Sequence, residues 1–127
     1  TMDIDTSTIN MGTLVIDQMA TSSVVVTVTA DASTGYVLSV ASISGTSLAG
    51  VSDGTVSAAK EEYGVAVSGP DAAFSDDRAI TAGLNLSSSS TPVVSSQTTI
   101  TFKAAMGPAS VAGDRSQSVT LMASTNI

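Results

Sequence analysis

The chain has 127 residues and a net charge of −7, from 11 acidic and 4 basic side chains, and it contains neither histidine nor cysteine. The four cations are scattered, which does not suit nucleic-acid binding, and the missing residue types exclude disulfides, thiol nucleophiles and imidazole-dependent catalytic or zinc sites. The 22 Ser and 17 Thr residues, with few Glu, Lys or Arg, indicate an all-β domain.

The chain opens on Thr1 and shows no signal peptide, so we interpret it as a mature or excised product that has lost its targeting segment. It has no run of about 18 consecutive apolar residues, and no membrane span is expected. Low charge with abundant Ser and Thr favours a secreted protein at the cell surface. The length fits one domain, residues 1–127, with residues 1–8 as a donor strand or extension.

Alternation of apolar and polar residues predicts the strands. The central pattern lies at residues 21–40, where two alternating strands flank a turn at 31–35 that offers Asp31 and Gly35. One helical turn is predicted at residues 57–62, with Ser57 as its cap, and a polar connector at residues 87–92. In chain order, the predicted strands cover residues 8–11, 13–16, 21–30, 36–43, 63–68, 80–86, 98–106 and 118–127.

This spacing indicates an all-β fold. Seven or eight strands recur every 8–15 residues or so, and no helix is long enough for a parallel crossover. The pattern fits a sandwich or a barrel, and we expect an immunoglobulin-like or pilin-like β-sandwich of seven or eight strands, with at most one short helical turn.

Several segments carry a family resemblance. Residues 9–14 (INMGTL), 23–29 (SVVVTVT) and 35–40 (GYVLSV) resemble the opening of exported bacterial or archaeal surface β-sandwich domains, and residues 62–68 (EYGVAVS) also look like that group. The ending, with Ala112-Gly113 followed by residues 118–121 (SVTL), is similar to that of spore-coat-U and chaperone–usher pilin domains. The resemblance implies an extracellular sandwich domain that assembles with copies of itself.

Candidate catalytic and metal sites are weak. Two pairs of adjacent carboxylates, at residues 61–62 and 76–77, offer acid–base groups, but neighbours in a loop point apart, so we expect no enzyme. Oxygen ligands for a hard cation occur at residues 31–35, 53–54 and 76–77. A capped hairpin turn explains the first of these, and no window matches an EF-hand loop. We expect no metal and no cofactor.

Two further features bear on glycans. Asn85, in the triplet Asn-Leu-Ser, is a glycosylation candidate, although such triplets also arise by chance in a Ser-rich chain. Tyr36 and Tyr63 are the only tyrosines available for a sugar-stacking platform, and both lie in phase with core positions. We expect both to be partly buried.

The N-terminal segment is the candidate partner-binding site, through Met2, Ile4, Ile9 and Met11. Alternating Met2 and Ile4 precede the sandwich and are tied to it by polar residues 5–8, so this segment can add itself as a strand to a neighbouring subunit's sheet edge. The alternatives are a frayed terminus and a first strand paired within its own domain.

The hypothesis that follows is a structural subunit of an extracellular filament, pilus-like fibre or surface layer. Its partners are copies of itself in a homopolymer, joined by β-strand complementation. The alternative is a surface adhesion module that recognises a glycan or a host protein through the loops at residues 44–62 and 70–78.

Overall fold

A computed structural model of the chain describes residues 1–46, 49–80, 83–108, 110 and 116–125. All regular structure within these ranges is β-strand. These residues contain no helix long and apolar enough to cross a membrane. The seven strands are β1 (Met2–Ile4), β2 (Ala20–Ala30), β3 (Tyr36–Thr46), β4 (Glu62–Ser68), β5 (Leu84–Ser89), β6 (Val93–Ala105) and β7 (Ser116–Thr125). The expected all-β fold of seven or eight strands is confirmed.

The strands form two antiparallel sheets. One has the order β1-β2-β6-β4 and the other the order β5-β3-β7. The turn at residues 31–35 carries the chain from β2 to β3, and residues 90–92 carry it from β5 to β6, so both short connections cross between the sheets. This arrangement is that of a small β-sandwich.

The core lies between the two sheets. Alternation in β2 sends Val24, Val26 and Val28 inward, where all three are at most 2% exposed, and the residues between them are half-buried. β3 contributes Tyr36, Leu38 and Val40 from the opposite sheet. The expectation that Tyr36 and Tyr63 are core residues is confirmed, because Tyr36 is buried and Tyr63 packs against the core while half-buried.

A second, smaller cluster covers the outer face of the four-stranded sheet. Val51 and Val56, from the segment between β3 and β4, pack with Ala105 at the end of β6. On the same side, Lys103 of β6 donates to Asp77 Oδ1 over 2.8 Å. Apolar contacts therefore hold the segment between β3 and β4 against this face, and the ion pair holds Asp77, from the segment between β4 and β5, beside it.

Five local expectations were wrong. Residues 8–11 and 13–16 form no strand, and residues 57–62 form a turn followed by the start of β4 rather than a helical turn. β5 begins at Leu84 rather than at Ile80, and it runs on through three serines that were expected in a connector. Ala82, the Ala112-Gly113 pair and Ile127 lie outside the described residues.

Candidate assembly surface

β1 is an edge strand of its own sheet. It pairs with β2 in antiparallel register, with Met2 opposite Val28 and Ile4 opposite Val26. Paired residues share a face of the sheet, so both β1 side chains point toward the core side, where the two valines are buried. Met2 and Ile4 nevertheless remain 37% and 41% exposed.

β1 is short and exposed, and backbone pairing with β2 holds it at both ends. It has three residues, all of them exposed. Before it, the Thr1 ammonium donates to the Thr29 carbonyl over 2.6 Å, and the Thr29 amide donates to the Thr1 carbonyl over 3.0 Å. After it, the Asp5 amide donates to the Val25 carbonyl over 3.2 Å, and the Val25 amide donates back to Asp5 Oδ1 over 3.0 Å. Burying part of one Met and one Ile adds only on the order of 1 kcal/mol each, so hydrogen bonds to β2 are the main attachment of β1.

The structure separates the four predicted partner-binding residues. Met2 and Ile4 lie together on β1, whereas Ile9 packs against the core from a segment without regular structure and Met11 is half-buried. Just beyond Ile9, the Gly12 amide donates to Asn10 Oδ1 over 2.8 Å, which closes a local turn. The polar residues 5–8 are exposed, and they join β1 to the segment that Ile9 anchors against the core.

β1 and β7 lie on the same side of the sandwich. Short connections keep consecutive strands close, so β3 lies over β2 and β5 over β6, and contacts between β5 and β6 agree with this stacking. The order β5-β3-β7 therefore runs in the same direction as the order β6-β2-β1. We call this side of the molecule, where both sheets end, the open side.

The open side exposes apolar residues from both sheets. In β7, Leu121 and Ala123 pair with the buried Val40 and Leu38 of β3, and so face inward, yet both are only half-buried. Met122 faces outward and is 59% exposed. Leu121 and Ala123 of β7, with Met2 and Ile4 of β1, thus form an apolar rim between the two sheets that the described residues bury only in part, while Met122 lies on the outer face.

The sheet edges at β4 and β5 are covered, whereas no described residue pairs with the outer edge of β1. Beside β4, bridges join Gly50 to Tyr63 and Arg78 to Val65. Beside β5, a bridge joins Ala72 to Ser87. Within the described part of the chain, β7 pairs only with β3, so its outer edge stands open along a ten-residue strand.

The glycosylation candidate Asn85 is exposed on β5, opposite Ser39 of β3. The third residue of its triplet, Ser87, is fully buried, and its hydroxyl lies 3.3 Å from that of Tyr36. Tyr36 donates in turn to Asp71 Oδ2 over 3.0 Å. The triplet therefore lies on a strand, with its hydroxyl committed to a buried network.

Each pair of adjacent carboxylates is divided between the interior and the surface. Glu62 is 3% exposed and accepts from the Ser57 amide over 3.4 Å, while Glu61 is half-buried. Asp77 binds Lys103 and also accepts from the Val56 amide over 2.8 Å.

Its neighbour Asp76 pairs with Arg78 over 2.9 Å at the surface. The buried member of each pair thus ties down a loop. The described residues contain no cluster of three or more acidic side chains placed to hold a metal.

Exposed charges near the second cluster interact weakly. Lys60 donates to Asp53 Oδ2 over 3.1 Å, and this hydrogen bond lowers the pKa of Asp53 and raises the pKa of Lys60. Both side chains are at least half exposed, so the pair stabilises the fold little. Beside it, an open depression of about 280 Å³ is lined by Ala59, Lys60, Glu61, Gly107, Pro108 and Ser110.

Sequence reasoning missed the role of β7. Its alternation was recognised, but nothing singled it out as the open edge. The available signal was the absence of charged residues between Ser116 and Thr125, because edge strands are commonly protected by charges or proline.

The chain matches no family model, and comparison with curated proteins and with solved structures finds no match either.

Proposed function

We propose that the protein is a structural subunit of an extracellular filament, in which the N-terminal strand of each subunit pairs with a neighbouring copy. The observation that carries the proposal is β1, a three-residue edge strand whose two apolar, core-facing residues remain 37% and 41% exposed and whose backbone pairs only with β2 among the described residues. A secreted appendage or surface layer is the setting that the low-charge Ser/Thr-rich composition favours.

Exchange between copies requires no new surface. The contacts that β1 makes with β2 in its own chain can be made unchanged with β2 of another copy, so the two states differ little in energy. The polar residues 5–8 serve as the hinge, because they are exposed and precede the anchored Ile9. Open-ended exchange of this kind links subunits into a filament, since each gives its strand to the next.

Disulfide trapping tests the exchange directly, because the chain has no cysteine of its own. Asp3 lies opposite Thr27 in the β1–β2 register, and such pairs have Cα separations within the range that a disulfide spans. We expect the oxidised double variant Asp3→Cys/Thr27→Cys to give a ladder of covalent oligomers on a non-reducing denaturing gel.

The matched control is a cysteine pair between β2 and β6, which stay in the same chain when β1 is exchanged. Ser23 and Thr101 are paired between β2 and β6, with their hydroxyls 3.0 Å apart. The variant Ser23→Cys/Thr101→Cys should give only a cross-linked monomer. A monomer band alone from the Asp3/Thr27 variant, together with a monomeric wild type and no fibres in negative stain, would contradict the proposal.

Removing residues 1–8 gives a second readout, since it deletes the strand that is exchanged. We expect fibres or ladders to disappear in sizing and electron microscopy. The competing function, a surface adhesion module, rests on the open depression beside Lys60 and Glu61. It predicts instead a monomer that is retained on an array of glycans or host proteins and is unaffected by the deletion.

A further inference from the structure

We infer that the outer edge of β7 is a second interface, at which two copies of the chain pair antiparallel across a two-fold axis and join their three-stranded sheets into one of six strands. This contact is independent of β1 exchange. It uses a different strand, and it requires both copies to keep the fold described above.

The open edge of β7 is the first observation. About half of the peptide groups in a strand point away from its neighbour, and in β7 no described residue pairs with them. The strand contains no proline, no charged residue and no register irregularity of its own, so it lacks the usual protection against edge-to-edge pairing.

The uncovered rim is the second observation. β7 itself lies over β1, because both strands end their sheets on the open side. A strand added beside β7 therefore lies one strand position beyond β1, next to the open side of Met2 and Ile4, which point toward the core but are 37% and 41% exposed. One added strand thus satisfies the backbone of one sheet and flanks exposed apolar side chains of the other.

The charge distribution favours β7 as the place where a second copy binds. The molecule carries a net charge of −7, so most approaches between two copies bring acidic groups together. β7 has none of the 11 acidic residues, so paired β7 strands bring no like charges into opposition, and Asp3 and Asp5 on the same side belong to the β1 segment of the other sheet.

β7 is also complementary to itself. In an antiparallel pair centred on Leu121, Val119 of each copy lies opposite Ala123 of the other. The inward faces then join inward faces, and the exposed Met122 lies opposite Thr120. A two-fold pair must keep this alternation, so its centre lies on a residue rather than between two residues.

A contact along one strand edge is small compared with the roughly 1,200–2,000 Å² of a stable interface. The dimer is therefore expected to be weak and concentration-dependent in solution. It gains strength where subunits are already arrayed, because the second contact then becomes intramolecular.

A cysteine scan tests the pairing and its symmetry. Single-cysteine variants are made at each position from 119 to 123, and a disulfide in any of them must join two copies because the chain has no other cysteine. We expect cross-linking to peak at one position and to fall on both sides of it, since only the residue on the two-fold axis meets itself. A flat or absent profile would overturn the antiparallel pair.

Charge substitution tests the same edge without cysteine. Thr120→Lys places like charges close together across the axis, and we expect it to weaken dimerisation about tenfold or more in sedimentation experiments. Ser88→Lys is the control, because Ser88 is exposed on β5, whose outer edge is already occupied. Mixing Thr120→Lys with Thr120→Glu should restore a dimer. Failure of that rescue with both variants folded would reject the interface.

The two interfaces can be told apart. Locking β1 onto β2 within one chain, in the oxidised monomer of Asp3→Cys/Thr27→Cys, blocks strand exchange and leaves β7 free. If this locked monomer still dimerises, the result supports the β7 interface whether or not filaments form. If filaments form but the locked monomer never dimerises, the β7 inference fails while the filament proposal stands.

Discussion

At the scale of single residues, the hydroxyl of Thr98 is an unusual group. Thr98 is fully buried in β6 opposite Val26, and its Oγ1 has no hydrogen-bond partner among the described residues. A buried polar group without a partner costs roughly 1–3 kcal/mol. The side chain therefore keeps the shape of valine while retaining a destabilising oxygen.

We expect Thr98→Val to raise the free energy of unfolding by about 1 kcal/mol, because it removes the desolvation cost of the hydroxyl at nearly constant shape. Urea denaturation measures the change. Thr99→Val, on the half-buried outer side of the same strand, should change stability by less than about 0.5 kcal/mol. Destabilisation by Thr98→Val would mean that the hydroxyl is satisfied in solution.

The adjacent carboxylates Asp76 and Asp77 provide a second residue-scale test. Asp77 is 7% exposed and binds both Lys103 and the Val56 amide, so Asp77→Ala leaves a partly buried cation and an amide without their acceptor. We expect a loss of about 3 kcal/mol in the free energy of unfolding. Asp76→Ala removes only an exposed pair with Arg78 and should cost less than about 1 kcal/mol. Equal costs for the two variants would contradict this difference in role.

At the scale of elements, the turn between β2 and β3 depends on Gly35. Its φ of +80° is unfavourable for other residues, and a Cβ there would collide with the backbone carbonyl of Ser89 in β5. Gly35→Ala must therefore move one strand, and we expect a loss of about 3 kcal/mol or more.

The control for this turn is Gly12→Ala. Gly12 has a similar φ of +72° but open space around the position of a Cβ, so only the backbone strain of about 1–2 kcal/mol remains. Thermal unfolding of both variants measures the difference. Similar losses at the two positions would show that the contact with β5 does not restrain the turn.

The long strands were predictable because they are half-buried and alternate. β2 and β4 each begin one residue before the expected start, and both end where they were expected to end. Alternation alone does not distinguish a strand from a loop whose apolar side chains pack against the core. Ile9 fills a place against the core without a partner strand, which explains the wrong strand at residues 8–11.

Polar strands were harder to predict for the same physical reason. Ser87 is buried in β5 because its hydroxyl lies next to that of Tyr36, and that contact joins residues far apart in sequence. β6 begins five residues earlier than expected, with a bulge at which Ser95 has a φ of 50° and Val94 is 83% exposed. A local pattern contains no information about such partners.

The candidate site was only half predictable. The alternation of Met2 and Ile4 marked the N-terminal segment, but its pairing with β2 depends on the whole chain. That β7 ends a sheet is likewise a property of topology. The sequence alone therefore marked residues of one proposed interface, through the alternation of Met2 and Ile4, but not those of the other.

At the scale of the whole molecule, the two proposed contacts act in different directions. Exchange of β1 is head-to-tail and extends without closing, whereas pairing of β7 is two-fold and closes with two copies. Subunits using both would form paired filaments rather than single ones. The width of fibres formed by wild type and by Thr120→Lys therefore reports on β7, and their length reports on β1.

The order of β2 and β6 in the chain has a kinetic consequence. Val24 is paired with Ile100, so the valine-rich strand leaves the ribosome well before the strand that forms its neighbour in the sheet. Until β6 has been synthesised, the valine-rich segment exposes apolar side chains and unpaired backbone groups, and such segments are prone to misassembly. Sheets built from such distant segments fold slowly, in milliseconds to seconds. A chain of this design would benefit from a factor that binds the valine-rich segment during synthesis.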